Sequence, residues 1–159
     1  MKRLVYLLPI LFCLIASCDQ DNIFDEAEQL RVDVDLIENY LSENNLVADT
    51  LRPSEIRIVV NQEGTGPKPE FGSTVIVDYR GYLLDGTEFD SSIGLDPIDV
   101  VIGRGDVIQG WEIALQEMNA GTMATIFIPS GFGYGNNRQG LFIPPNSVLV
   151  FDIQVLDVR

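Results

Sequence analysis

Three stretches of the chain gather aromatic and branched apolar residues around very few reactive groups. Val77 to Ser92 carries Tyr79, Phe89 and Asp90; Val107-Ile108-Gln109-Gly110-Trp111 follows; Tyr134-Gly135, Phe142-Ile143-Pro144-Pro145-Asn146 and Val150-Phe151-Asp152 complete the set. The chain has no His, and its 2 Cys, Cys13 and Cys18, lie near the N-terminus. That leaves no Ser–His or Cys–His pair and offers little for nucleophilic or metal chemistry, with a cation-binding role for the acidic residues only weakly supported. Such residues can desolvate a ligand and orient it with a few placed hydrogen bonds. Taken singly, buried Phe and Tyr are core residues; only their company with Trp111 and Asp90 makes them a site. A hydrolase built on paired carboxyls, Asp85 with Glu88 or Asp90, is the weaker reading, because close acidic pairs arise by chance in so acidic a chain.

The charge balance narrows the partners. With 10 basic and 24 acidic residues the net charge is −14. Nucleic acid needs a basic footprint, so it is excluded as a partner, and electrostatic docking on anionic lipid is disfavoured. A length of 159 residues suits one modest domain with appendages.

The elements that must hold these residues begin after an address. Lys2 and Arg3 precede an apolar run, Leu4 to Ala16, too short to span a bilayer, which takes about 20 residues. Ile15-Ala16-Ser17-Cys18 resembles the bacterial lipobox. That resemblance implies a signal peptide over residues 1–17, a lipid on Cys18, and a place in the cell envelope. Cleavage leaves 8 basic residues against 24 acidic ones, a net of −16. Asp19-Gln20-Asp21 is similar to surface-export signals of some lipoproteins, so both the periplasmic side and the outer surface stay open. Residues 18–54 read as a tether with an amphipathic helix at 27–44, where Leu30, Val34, Ile37 and Leu41 form one stripe. The stripe can dock on its own domain or pair with a second copy as a homodimer. Asn44-Asn45 and Arg52-Pro53 mark a linker near 46–54, in which Asp49-Thr50-Leu51 is similar to a bacterial O-glycosylation acceptor.

Residues 55–159 form the domain. Ile56, Ile58 and Val60 alternate with polar neighbours, which predicts a strand. Further strands are expected over 74–84, 98–102, 123–128 and 148–158, with Asp85-Gly86 a hairpin turn and 130–146 a long loop. Residues 108–118 read as the single helix of the domain. One helix against an antiparallel sheet is an α+β arrangement.

Val77-Asp78-Tyr79-Arg80-Gly81, Gly86-Thr87-Glu88-Phe89-Asp90-Ser91-Ser92, Val107 to Glu112, Tyr134-Gly135, Ile143-Pro144-Pro145 and Leu149-Val150-Phe151-Asp152, in this order, resemble the FK506-binding protein family of peptidyl-prolyl isomerases. The resemblance implies an antiparallel half-barrel wrapped on one short helix, and isomerisation of X–Pro bonds in unfolded or exported polypeptides, with no cofactor and no metal. It implies a pocket with Tyr79, Phe89 and Phe151 as walls and Trp111 as floor. Asp90 would sit beside the bound carbonyl and Tyr134 would offer its hydroxyl. Val107 and Ile108 would line the rim, Ile98 would form part of a wall, and Phe142 and Ile143 would cover the pocket. Three positions depart from the family pattern: no Arg follows Ser91-Ser92, Ile98 replaces an aromatic residue, and Gln139 stands where a His is common. These departures raise the alternative of a non-catalytic module that binds Pro-containing segments.

Overall fold

The structure, a computed structural model, describes residues 25–159. The signal segment and Cys18 lie outside the described residues. Helix α1 spans Glu26–Glu43. Its first turn is capped by the Asp25 carboxyl, which accepts from the N–H groups of Ala27 and Glu28 at 3.0 and 3.3 Å, satisfying donors that a helix start leaves free. Seven strands follow: β1 Asp49–Leu51, β2 Ile56–Gln62, β3 Thr74–Leu83, β4 Glu88–Ser91, β5 Ile98–Val101, β6 Met123–Ile128 and β7 Leu149–Val158. Helix α2, Gln109–Leu115, lies between β5 and β6. No helix among the described residues is long and apolar enough to cross a membrane.

The strands make one antiparallel sheet in the order β1-β2-β6-β7-β3-β4, with β5 paired to β3 beyond the reach of β4. β7 runs along the whole of β3, from Val75↔Val158 to Leu83↔Leu149. This central pair sets the register of the site, because side chains two apart share a face. Val75, Val77, Tyr79, Phe151, Ile153 and Val155 therefore share one core with α2, whose Trp111, Ala114 and Leu115 are buried in it.

The other face of the sheet differs from expectation. A two-layer design leaves it in water, but α1 covers it. Ile37 and Leu41, from the predicted stripe, bury against Val59, Phe127, Val148 and Val150. The C-terminal half of the stripe is thus buried on the chain's own sheet, while Leu30 and Val34 are only partly covered; on its outer side the helix leaves Val32 and Leu36 exposed. With both faces covered, β2 does not alternate: Ile56 to Val59 are all buried and Val60 is exposed. Arg57 goes inside because its guanidinium donates to Glu38 at 2.7 Å and to the Glu55 carbonyl at 2.7 Å. The linker also holds more structure than its composition suggests. β1 lies within it, and Thr50 pairs with Arg57 at the sheet edge.

Candidate active site

The site stands on the concave face, where α2 meets β3 and β7. Trp111 packs edge-on against two rings, Tyr79 at 5.0 Å and 87° and Phe151 at 5.2 Å and 86°. Edge-to-face contacts of this kind satisfy the ring quadrupoles and fix the angles between rings. The three rings leave a cavity of about 350 Å³, lined also by Asp90, Ile98, Val107, Ile108, Tyr134, Gly105 and Asp106.

Eight of the eleven predicted pocket residues line this cavity. Phe89 stands behind it. Its ring meets Phe151 edge-on at 5.5 Å, and a Cβ placed on Gly81 would lie 2.7 Å from Phe89 and 2.8 Å from Phe151. Gly81 is therefore the gap into which these two rings fit. Phe142 and Ile143 do not cover the pocket, contrary to the sequence reading. Gln139 and Ile143 exchange backbone hydrogen bonds at 3.0 and 3.2 Å across a turn with Gly140 at φ 57°. This turn leaves Phe142 59% exposed and sends Ile143 into the core. Gly105 and Asp106 were not anticipated as lining residues; the glycines on either side of Arg104 were the only signal of a loop bent toward the site.

Polar groups are few and tied down. The Tyr79 hydroxyl donates to Asp90 at 2.6 Å, and the Ser91 N–H donates to the same carboxyl at 2.9 Å. These two donors hold Asp90 in the absence of the Arg that the sequence lacks. Ser92, buried, accepts from the Tyr79 N–H at 2.9 Å and donates to Asp78 at 3.0 Å, which fastens the end of β4 to β3. Burial, then the hydrogen bond to Asp90, pushes the Tyr79 phenol well above the ordinary tyrosine range. Burial and the nearby Asp90 charge raise Tyr134 in the same direction. Both hydroxyls thus keep their protons at neutral pH. The Tyr134 hydroxyl has no hydrogen-bond partner among the described residues, and neither has the Ile108 N–H at the start of α2. The Trp111 indole N–H is buried without an acceptor.

One carboxyl organises the rim from below. Glu112, next to Trp111 on α2, accepts from the N–H groups of Gly103 at 2.7 Å and Gly105 at 3.0 Å. Both glycines have positive φ, a conformation that suits Gly, and this loop delivers Val107 and Ile108. The carboxyl pair of the hydrolase reading is not assembled. Asp85 closes its own turn by accepting from the Thr87 N–H at 2.9 Å, which lowers its pKa, and Glu88 binds Arg80 at 2.7 Å.

A cavity with a Trp floor, aromatic and aliphatic walls, a Tyr–Asp pair at its mouth and two free donors can strip water from an amide and hold it by few contacts. Comparison with known proteins agrees. The family pattern described as FKBP-type peptidyl-prolyl cis-trans isomerase matches residues 66–156, and the chain belongs to that family. It is a peptidyl-prolyl cis-trans isomerase of the FKBP type, with proline-containing peptides as substrates. FK506-binding protein 1B of Neurospora crassa is 43% identical over 102 residues, 60% of this chain and 90% of that protein. The FK506-binding protein of Neisseria meningitidis serogroup B is 39% identical over 98 residues, 61% of this chain and 90% of its own length. The crystal structure of a peptidyl-prolyl cis-trans isomerase from Pseudomonas syringae pv. tomato superposes with a TM-score of 0.70 at 31% identity, covering 84% of this chain and 96% of that one.

Proposed function

We propose that this isomerase serves the folding of exported polypeptides, held at the cell envelope by a lipid on Cys18, and that the concave cavity is where the X–Pro bond turns. The observation that carries the site assignment is the Tyr79–Asp90 pair, 2.6 Å apart, at the mouth of a cavity floored by Trp111. The planar amide resists rotation because it must give up resonance, a barrier of about 18–20 kcal/mol. The twisted state has lost that charge separation, so an apolar surrounding penalises it less than the planar one, and the difference lowers the barrier. The proline ring would rest on Trp111 between Tyr79 and Phe151, with Ile98 and Val107 closing the sides. The Ile108 N–H and the Tyr134 hydroxyl would hold the flanking carbonyls. Asp90 would face the twisting carbonyl carbon, its orientation kept by Tyr79. No covalent intermediate enters this scheme.

The anchor rests on the apolar run Leu4 to Ala16 and on the lipobox-like Ile15-Ala16-Ser17-Cys18. Growth with labelled palmitate tests it. Label is expected in the native protein and not in Cys18→Ser, which should move to the soluble fraction. An unlabelled native protein, or a Cys18→Ser variant still in the membrane fraction, would remove the tether from the account. The folding role is checked by refolding an exported protein whose slow phase is proline-limited: the phase should shorten in proportion to added isomerase.

A further inference from the structure

Asp33 lies on α1, outside the residues that match the family, and its side chain is wholly buried. A buried carboxyl is costly unless its oxygens are bonded, and here both are. One accepts from the Gln29 side-chain amide at 2.8 Å. The other accepts from the Ser130 backbone N–H at 2.7 Å, across 97 residues of chain. That bond is the sole hydrogen bond between α1 and the 130–146 loop among the described residues.

Ser130 opens the tight turn Ser130–Phe132, and its carbonyl accepts from the N–H groups of Gly133 at 2.9 Å and Gly135 at 2.8 Å. The segment that carries Tyr134 is therefore folded back on Ser130. Gly135 in turn accepts from the Asn146 N–H at 2.8 Å, which closes the loop. Phe132 and Tyr134 rest against the core on one side, and a groove of about 550 Å³ lined by Leu30, Gly131, Phe132 and Asn136 opens on the other. The Asp33 bond is the polar tie that holds the start of this turn to α1.

We propose that Asp33 is a positioning residue of the isomerase: through Ser130 it fixes the loop that presents Tyr134 to the cavity, which makes α1 part of the working unit and not a spacer on a tether. The proposal rests on the reading of Tyr134 as a substrate contact. It accounts for a charged residue on the buried side of an otherwise apolar stripe.

A double-mutant cycle tests it, with kcat/KM on a short X–Pro peptide measured at equal concentrations of folded protein. Asp33→Ala should lower kcat/KM about fivefold, the scale of a loosened positioning contact. Tyr134→Ala should lower it by at least as much. The double variant should match Tyr134→Ala alone, since the two act through one side chain. Asp33→Asn, whose amide oxygen can still accept from Ser130 while Gln29 turns over, should recover at least about half of the native rate if the acceptor is what matters. Native activity in folded Asp33→Ala, or multiplying losses in the double variant, overturns the proposal. If Tyr134→Ala alone is without effect, the fault lies in the reading of Tyr134; if only Asp33→Ala is silent, it lies in Asp33. Where Asp33→Ala does not fold, Asp33→Ser, too short to reach Ser130, replaces it. Failure of both to fold would make the carboxyl a determinant of the fold alone and would equally overturn the proposal.

Discussion

The two faces of the sheet are each covered by a helix, and they are finished differently. On the convex face the long helix α1 closes the surface: Ile37 is fully buried, Phe127 likewise, and Tyr40 lies 5.5 Å from the Phe127 ring. On the concave face the shorter α2 meets rings edge-on and leaves about 350 Å³ open. Aliphatic side chains pack into one another to crystal-like density. Aromatic rings held at right angles to one another cannot fill the corner they enclose. The catalytic face is thus made by choosing side chains that do not fill space, on the same β-strands that fill it a few residues away.

This contrast can be broken most forcefully from the convex side. Ile37→Ala removes a fully buried side chain and should cost about 3 kcal/mol of stability, read from urea denaturation, while kcat/KM per folded molecule stays within about twofold. A matching fall in activity would mean that the packing of α1, and not only its Asp33 bond, reaches the cavity.

Gly81→Ala attacks the other face through its rings. The added methyl would stand 2.7 Å from Phe89 and 2.8 Å from Phe151, so both must shift. Stability should fall by about 1–2 kcal/mol, and kcat/KM should fall by more than that of Ile37→Ala. Glu112→Gln weakens a smaller element, the carboxyl that gathers the Gly103 and Gly105 N–H groups. Charge-assisted bonds to such donors are roughly twice as strong as neutral ones. The variant should raise KM about threefold with little change in kcat, since the rim binds and does not react.

The smallest expected effect is that of pH. The chain has no His, and Tyr79 and Tyr134 ionise above their ordinary value, so kcat/KM should be level from about pH 6 to 9. For stability the sign follows from the raised folded-state value of Tyr79. Folding favours the neutral phenol, so its contribution is complete below about pH 10, the unfolded value, and is lost as pH rises through the folded one. Denaturation midpoints between pH 8 and 11 check this, and the loss should shrink in Tyr79→Phe.

Most of the concave face was legible because its residues occur in family order: Tyr79, Asp90, Trp111, Tyr134 and Phe151 all line one cavity. The convex face was not. Alternation in Ile56, Ile58 and Val60 presumes one wet face, and the rule fails once α1 covers it and Val59 is needed inside. Asp33 was hidden for a related reason: a carboxyl beside an apolar stripe reads as solvated until its partner, a backbone N–H far along the chain, is seen. Phe142 and Ile143 were misplaced because the turn at Gly140 decides which of two adjacent apolar residues faces inward, and composition does not fix that turn. No Arg follows Ser91-Ser92, and the Asp90 carboxyl is held from its own neighbourhood by Tyr79 and Ser91.

The most direct test of the central claim, that X–Pro rotation is catalysed in the concave cavity, is NMR exchange between cis and trans forms of a short proline peptide. The chain from Asp19 onward would be compared with Asp90→Val and Ile37→Ala at equal folded concentration. Asp90→Val should slow catalysed exchange by about tenfold or more, the scale of losing a hydrogen-bonded charged contact, while Ile37→Ala leaves it near the native rate. Full catalysis by folded Asp90→Val, or equal losses in both variants, would contradict the account.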